Sequence, residues 1–373
     1  MLVFLLFAGI GGILGREYSK ENGWSAVLRR VVKNYVEQQA LPGQYILLEL
    51  LWKQQNFLYH TRREPVFESQ FPFSGKMGVF IPGTEEVKKM EEENKLQQPV
   101  EEKTEEIFLT ENGSFIPAEE KKNIINWEEY DTEEALLKKF YAQDPTVGIP
   151  ENLFQTKELI EMDLSVDKEA KGPHILLYHT HSQEAFLDSR PDQKEDTIVG
   201  AGQVLAGLLE DMGYQVMHHQ GEYDVESRDY AYSNSLPEIT KILEENPQIQ
   251  VVLDLHRDAV AEETKLVTTL GEQQVAKVMF FNGLSHSREQ GELTYLKNPY
   301  LKENLAFSLQ MKAACDEYYP GFARNIYLRA YRYNMHVHPK TLLIELGAQT
   351  NTVEEIKNAL YPLADALDIV LGK

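Results

Sequence analysis

Three apolar runs in this chain end in residues that titrate and can bind metals. The stretch His174–Glu184 reads HILLYHTHSQE, so an apolar run leads into His179 and His181, spaced i, i+2, with Glu184 close behind. The stretch VVLDLHRD ends in His256, Arg257 and Asp258, and TLLIELG carries Glu345. Nine of the ten histidines lie after residue 170. One histidine at a strand end is ordinarily a hydrogen-bonded structural residue. Two such ends and a carboxylate end in one sheet point instead to a metal site. Neutral imidazoles and a carboxylate make a three-ligand set with a fourth position left for water, the pattern of catalytic zinc. Zinc draws the pKa of a bound water down towards about 7. A separate carboxylate can then accept its proton and pass it to a leaving amine. Glu345, on a different strand end, suits that role.

These residues need a scaffold that gathers strand ends. From Gly172 onwards the pattern alternates. HILLYHT, YQVMHH, IQVVLDLH, QVAKVMFFNG and TLLIELG read as strands. TIVGAGQVLAGLLEDMG, LPEITKILEENPQ and NPYLKENLAFSLQMKAACDEYYPG read as helices, with Gly213 and Gly321 as stops and Asn298 and Pro299 as a start. Thr352 and Glu355 form a T-x-x-E capping box for a final helix. Near-continuous apolar strands alternating with helices predict an α/β fold, a mostly parallel sheet flanked by helices on both faces. Such sheets bind ligands at the carboxyl ends of their strands.

The rest of the chain is different in character. Residues 1–20 open with MLVFLLFAGIGGILG, uncharged up to Arg16, and are expected to be a membrane anchor, though shorter than the roughly 20 apolar residues of a span. A basic n-region and an A-x-A site are both missing, so a cleaved signal peptide fits poorly. A buried N-terminal helix is the alternative. Residues 21–83 predict a membrane-proximal helical region broken at Leu41-Pro42-Gly43. Residues 84–171 are rich in glutamate and read as an acidic, partly disordered linker before a domain at 172–373. The net charge of −22 argues against nucleic acid as a partner. Cys315 is the single cysteine and excludes an intrachain disulfide; its apolar surroundings predict a small core residue.

Taken in order, HILLYHTHSQEAF, VVLDLHRD and TLLIELG resemble the stage II sporulation protein P family, which is similar to the zinc N-acetylmuramoyl-L-alanine amidases. The resemblance covers roughly residues 172–373. It implies Zn2+ as cofactor, with His181 and His256 as ligands, and Glu345 as the catalytic glutamate. His179 then becomes a supporting or substrate residue. For the third ligand the resemblance favours Glu195, which lies directly before the first helix. Glu184, within H-T-H-x-x-E, is the competing choice and otherwise a site-wall or substrate contact. Asp196 is a further candidate. The resemblance also implies peptidoglycan as substrate and a membrane-anchored protein with an extracytoplasmic catalytic domain. A role in forespore engulfment with sporulation proteins D and M as partners follows from it, as does a possible endopeptidase activity.

Other residues carry weaker signals. Asp254 is expected to orient a histidine. Arg257 either grips a substrate carboxylate or pairs with Asp258. His218 and His219 are expected at the surface. His336 and His338 form an attractive i, i+2 pair but precede the last strand, which places them at the opposite edge of the sheet. Tyr327, Arg329 and Arg332 are candidates for lining a glycan groove. Two alternatives to the amidase remain: a zinc peptidase or carboxypeptidase of other specificity, and a non-catalytic membrane-anchored scaffold.

Overall fold

The structure is a computed structural model and describes residues 121–372. The expected anchor at 1–20, the helical region at 21–83 and the linker up to residue 120 lie outside the described residues. Among the described residues, no helix is long and apolar enough to cross a membrane.

In chain order the strands are β1 (Tyr141–Gln143), β2 (Ile175–Tyr178), β3 (Val216–His218), β4 (Val251–Asp258), β5 (Val267–Leu270), β6 (Gln273–Ala276), β7 (Val278–Gly283), β8 (His286–Ser287), β9 (Gly291–Glu292), β10 (Ile326–Arg329) and β11 (Thr341–Ala348). The α-helices are α1 (Glu133–Phe140), α2 (Thr156–Ile160), α3 (Ile198–Asp211), α4 (Ala231–Glu245), α5 (Leu301–Tyr318) and α6 (Val353–Leu371). Seven strands form one sheet in the order β1-β10-β7-β11-β4-β2-β3. Every neighbouring pair in it is parallel except β11 with β7. The sheet is therefore mostly parallel, in two halves running in opposite directions.

Alternation along the strands sorts the two faces. Leu177, Leu253, Leu255 and Ile344 share one core with residues of α3, α5 and α6. Leu176, Tyr178 and Val252 pack against Ile239 and Ile242 of α4 on the other face. Helices cover both faces, which is why the central strands carry apolar residues without alternation.

The terminal signals act locally. Thr352 Oγ1 accepts from the Glu355 amide while the Glu355 carboxylate accepts from the Thr352 amide, closing the capping box. Thr197 caps α3, and Gly213 beyond its end takes a φ of 90°. Cys315 is buried in α5.

Four boundaries differ from the sequence pattern; the smallest is that α5 starts at Leu301 with Tyr300, not Asn298, at its cap position. The packed fold begins well before Gly172: β1 is an edge strand of the main sheet, and Phe140 is fully buried in the core. The glutamate-rich stretch ahead of it hid the short aromatic segment that does this. The run QVAKVMFFNG is two strands, because β6 turns back to pair with β5 while β7 enters the main sheet. Helix α4 starts at Ala231, so Pro237 lies inside it. Its extra turn is held by the Asn334 amide, which donates to the Tyr232 carbonyl at 2.9 Å and to Ser235 Oγ at 3.1 Å.

Candidate active site

The site stands at the carboxyl ends of β2 and β4, beside β11. Register makes Glu345 of β11 the direct partner of His256 on β4, so both point to the α4 side of the sheet. Asp254, two residues back on the same face, accepts from the Thr180 amide at 2.9 Å and the Thr180 hydroxyl at 2.6 Å. Its Oδ1 lies 2.8 Å from His256 Nε2, a charge contact whose angle falls short of an in-line hydrogen bond. The turn that follows β2 brings His181 across, with its ring centroid 5.3 Å from that of His256. Tyr232, at the start of α4, stacks along His256 and meets His181 edge-on, at 6.2 and 5.6 Å. Just beyond Glu345, Gly347 adopts a φ of 60° where the β11–β4 register shifts, a bulge that β-branched or bulky residues resist.

Glu184 is the carboxylate this turn delivers. It is 1% exposed, and its Oε2 accepts from the Arg257 amide at 2.8 Å and lies 3.7 Å from His256 Nδ1. Its Oε1 accepts from Arg228 at 2.6 Å. Glu195, favoured from sequence as third ligand, is not brought to the histidines. Its side chain is 58% exposed and pairs with Arg190. The neighbouring Asp196 carboxylate is also held by Arg190. The Ile198 amide instead bonds the Glu184 carbonyl at 3.0 Å, which seats the start of α3 beside the turn while leaving Glu195 outside it.

The remaining sequence candidates separate in the same way. His179 is fully buried and donates from Nδ1 to the Leu255 carbonyl at 2.8 Å, with its Nε2 2.9 Å from His218 Nε2. His218 is therefore partly buried against His179 instead of free at the surface. A Cβ on Gly202 of α3 would lie 2.6 Å from His179 Nε2 and 2.8 Å from His218 Nε2, so only glycine admits the pair. His219 bonds Tyr223 at 2.5 Å. The Arg257 guanidinium bonds the backbone carbonyls of Ala185 and Asp258, and the Asp258 carboxylate goes to Arg324. Arg329 and Tyr327 both meet Asp144 on the β1–β10 side of the sheet. His336 and His338 precede β11, away from the end that carries Glu345.

Electrostatics divides the site into neutral and charged groups. Burial, then His256, Arg228 and Arg257, hold His181 far below the usual imidazole value, leaving it neutral. Burial would depress His256 as well, but Asp254, Glu184 and Glu345 outweigh it and raise its pKa to about 9. Burial, with Asp258, pushes Glu345 up to about 8, against the opposing pull of His256. Its Oε2 is buried without a hydrogen-bond partner, as is Nδ1 of His181.

By donor type, His181, His256 and Glu184 fit a divalent ion. Two ligands at tetrahedral angles on zinc stand about 3.4 Å apart, close to the His256–Glu184 separation. Among the described residues, no group of three His, Cys, Asp or Glu side chains is arranged to hold a metal ion as it stands. Asp224, Arg228 and Tyr232 escaped the sequence reading. The available signal was position: they lie in and just after the loop that leaves the carboxyl end of β3, beside β2, where ligands of such sheets bind.

A curated stage II sporulation protein P of Bacillus subtilis (strain 168) is 24% identical over 210 residues, covering 51% of this chain and 49% of that protein. The chain thus matches about half the length of that relative. Among solved structures, amidase AmiC2 of Nostoc punctiforme aligns at 11% identity and a TM-score of 0.34, over 55% of this chain and 100% of that one. The CwlD amidase of Clostridioides difficile, in complex with the GerS lipoprotein, aligns at 13% and 0.31, over 54% and 96%. The sequence profile described as stage II sporulation protein P matches residues 65–368, and the chain belongs to that family.

Proposed function

We propose that this chain is a zinc-dependent peptidoglycan hydrolase, an N-acetylmuramoyl-L-alanine amidase that cleaves the bond between the lactyl group of N-acetylmuramic acid and L-alanine. The observation that supports it most is the cross-strand pairing of a buried glutamate, Glu345, with His256 beside His181 and Glu184. His181, His256 and Glu184 are the residues that would hold zinc, in place of the set with Glu195. Zinc bound there would supply Lewis-acid polarisation of the scissile carbonyl and acidify a water.

The chain's own residues account for the rest. Asp254 fixes the His256 ring through its contact with Nε2 and leaves Nδ1 facing Glu184. Glu345, buried on the strand beside His256, is the carboxylate placed to take a proton from the attacking water and return it to the departing amine of L-alanine. Tyr232 walls the two imidazoles and keeps water off that side. Family membership supports action during sporulation, and so an anchored protein with this domain outside the cytoplasmic membrane. Partnership with sporulation proteins D and M, and cleavage of peptide cross-links, rest on the family resemblance alone.

The test is digestion of purified peptidoglycan by the full chain with zinc, read by mass spectrometry. Free stem peptides beginning with L-alanine are expected. Release of terminal amino acids alone would reject the amidase in favour of a carboxypeptidase.

A further inference from the structure

The loop between β3 and α4, residues 219–230, reaches back to the turn after β2 through two side chains. Asp224 is buried there with its side chain 3% exposed. Its Oδ1 accepts from the Ser182 amide at 3.1 Å and the Ser182 hydroxyl at 2.9 Å, and its Oδ2 accepts from the Gln183 amide at 3.2 Å. That same Oδ2 lies 3.8 Å from Nδ1 of His181, a nitrogen with no hydrogen-bond partner of its own. Four residues on, Arg228 holds Oε1 of Glu184 and leaves Oε2 on the side of His256 Nδ1.

Each imidazole thus has a carboxylate near one ring nitrogen, but near different nitrogens and at different range: 2.8 Å at His256, and 3.8 Å, a charge contact longer than a hydrogen bond, at His181. Asp254 stands behind Nε2 of His256, and Asp224 stands behind Nδ1 of His181. A carboxylate behind one ring nitrogen attracts the proton there and leaves the lone pair on the other, which fixes ring orientation and donor basicity.

We propose that Asp224 is a positioning residue for the ion: it anchors the His181–Glu184 turn and backs Nδ1 of His181, so that His181 offers Nε2 while His256 offers Nδ1. This rests on the zinc reading above and adds a residue from a separate loop to it. Asp224 touches neither substrate nor ion and acts through His181.

The test uses the full chain and two variants, Asp224→Asn and Asp224→Ala. Zinc affinity is measured by competition with a chromogenic chelator, and thermal melting is followed on the metal-free proteins. Asp224→Asn keeps an acceptor for Ser182 but loses the charge and the acceptor for the Gln183 amide, so zinc affinity falls about 10- to 100-fold while metal-free melting drops less than in Asp224→Ala. Asp224→Ala also releases the turn and loses affinity further. Zinc affinity of Asp224→Asn within about twofold of the intact chain overturns the proposal. So does lowered melting with unchanged affinity, which marks a turn anchor only. Failure of the intact chain to take up zinc overturns the zinc reading itself and the inference with it, so the two failures are told apart.

Discussion

His256 and Glu345 are direct partners across two parallel strands at the centre of the sheet. The pairing fixes an acid beside a ligand-type imidazole through backbone register, without depending on a loop. Glu345→Gln keeps the shape and removes the proton shuttle. Hydrolysis of purified peptidoglycan by this variant is expected to drop about 100- to 10,000-fold. Zinc content measured by elemental analysis stays at the level of the intact chain, because Glu345 is not among the proposed ligands. Loss of zinc together with activity would move Glu345 into the ligand set.

Glu184 and Glu195 make opposite predictions. Glu184→Gln removes a buried carboxylate held by Arg228 and the Arg257 amide, and is expected to lose zinc and activity together. Glu195→Gln alters an exposed, solvent-screened ion pair with Arg190 and leaves both readings near those of the intact chain. Elemental analysis of the two variants side by side decides between them.

Gly202→Ala tests the packing behind the turn. The added methyl would meet both His179 and His218 well inside contact distance. The variant is expected to be about 1–3 kcal/mol less stable in urea denaturation. His179 bonds the Leu255 carbonyl, one residue from His256, so part of the strain reaches the site. A stability equal to that of the intact chain would show that the histidine pair can move aside freely.

Histidines remote from the site contribute to a pH dependence. Burial, then Arg332, lowers His336 to about 3, and burial, then Lys340, lowers His338 to about 4, from an ordinary 6.5. Below pH 6.5 the unfolded chain therefore binds protons that the folded chain refuses, so stability falls as pH falls through this window. The metal-free protein is expected to lose stability from pH 6.5 towards about 5, with up to one proton of slope per histidine. The variant carrying His336→Gln and His338→Gln shows a shallower slope over that range. An unchanged slope would assign the dependence elsewhere.

Much of this was legible in the chain. Apolar runs ending in HTH, LHRD and IEL gave the strands and His181, His256 and Glu345 as candidates, because strand ends in such a sheet converge. The third carboxylate was not legible. Glu184 and Glu195 differ in burial, which follows from how the turn closes against the Arg257 amide and not from spacing. Asp224 and Arg228 were invisible for a related reason: a polar loop rich in acids looks solvated until its contacts are seen. The antiparallel junction of β11 with β7 also has no local signal, since both strands are simply apolar.

The short strand β1 completes the sheet on its β10 side through three residue pairs, from Tyr141 with Ile326 to Gln143 with Leu328. A fragment cut at Gly172 would strip that cover, baring a row of unsatisfied amides and carbonyls on β10. Bare borders of this kind recruit other chains. Such a fragment would clump during purification for reasons unrelated to its chemistry, whereas one beginning ahead of residue 121 retains its own seal.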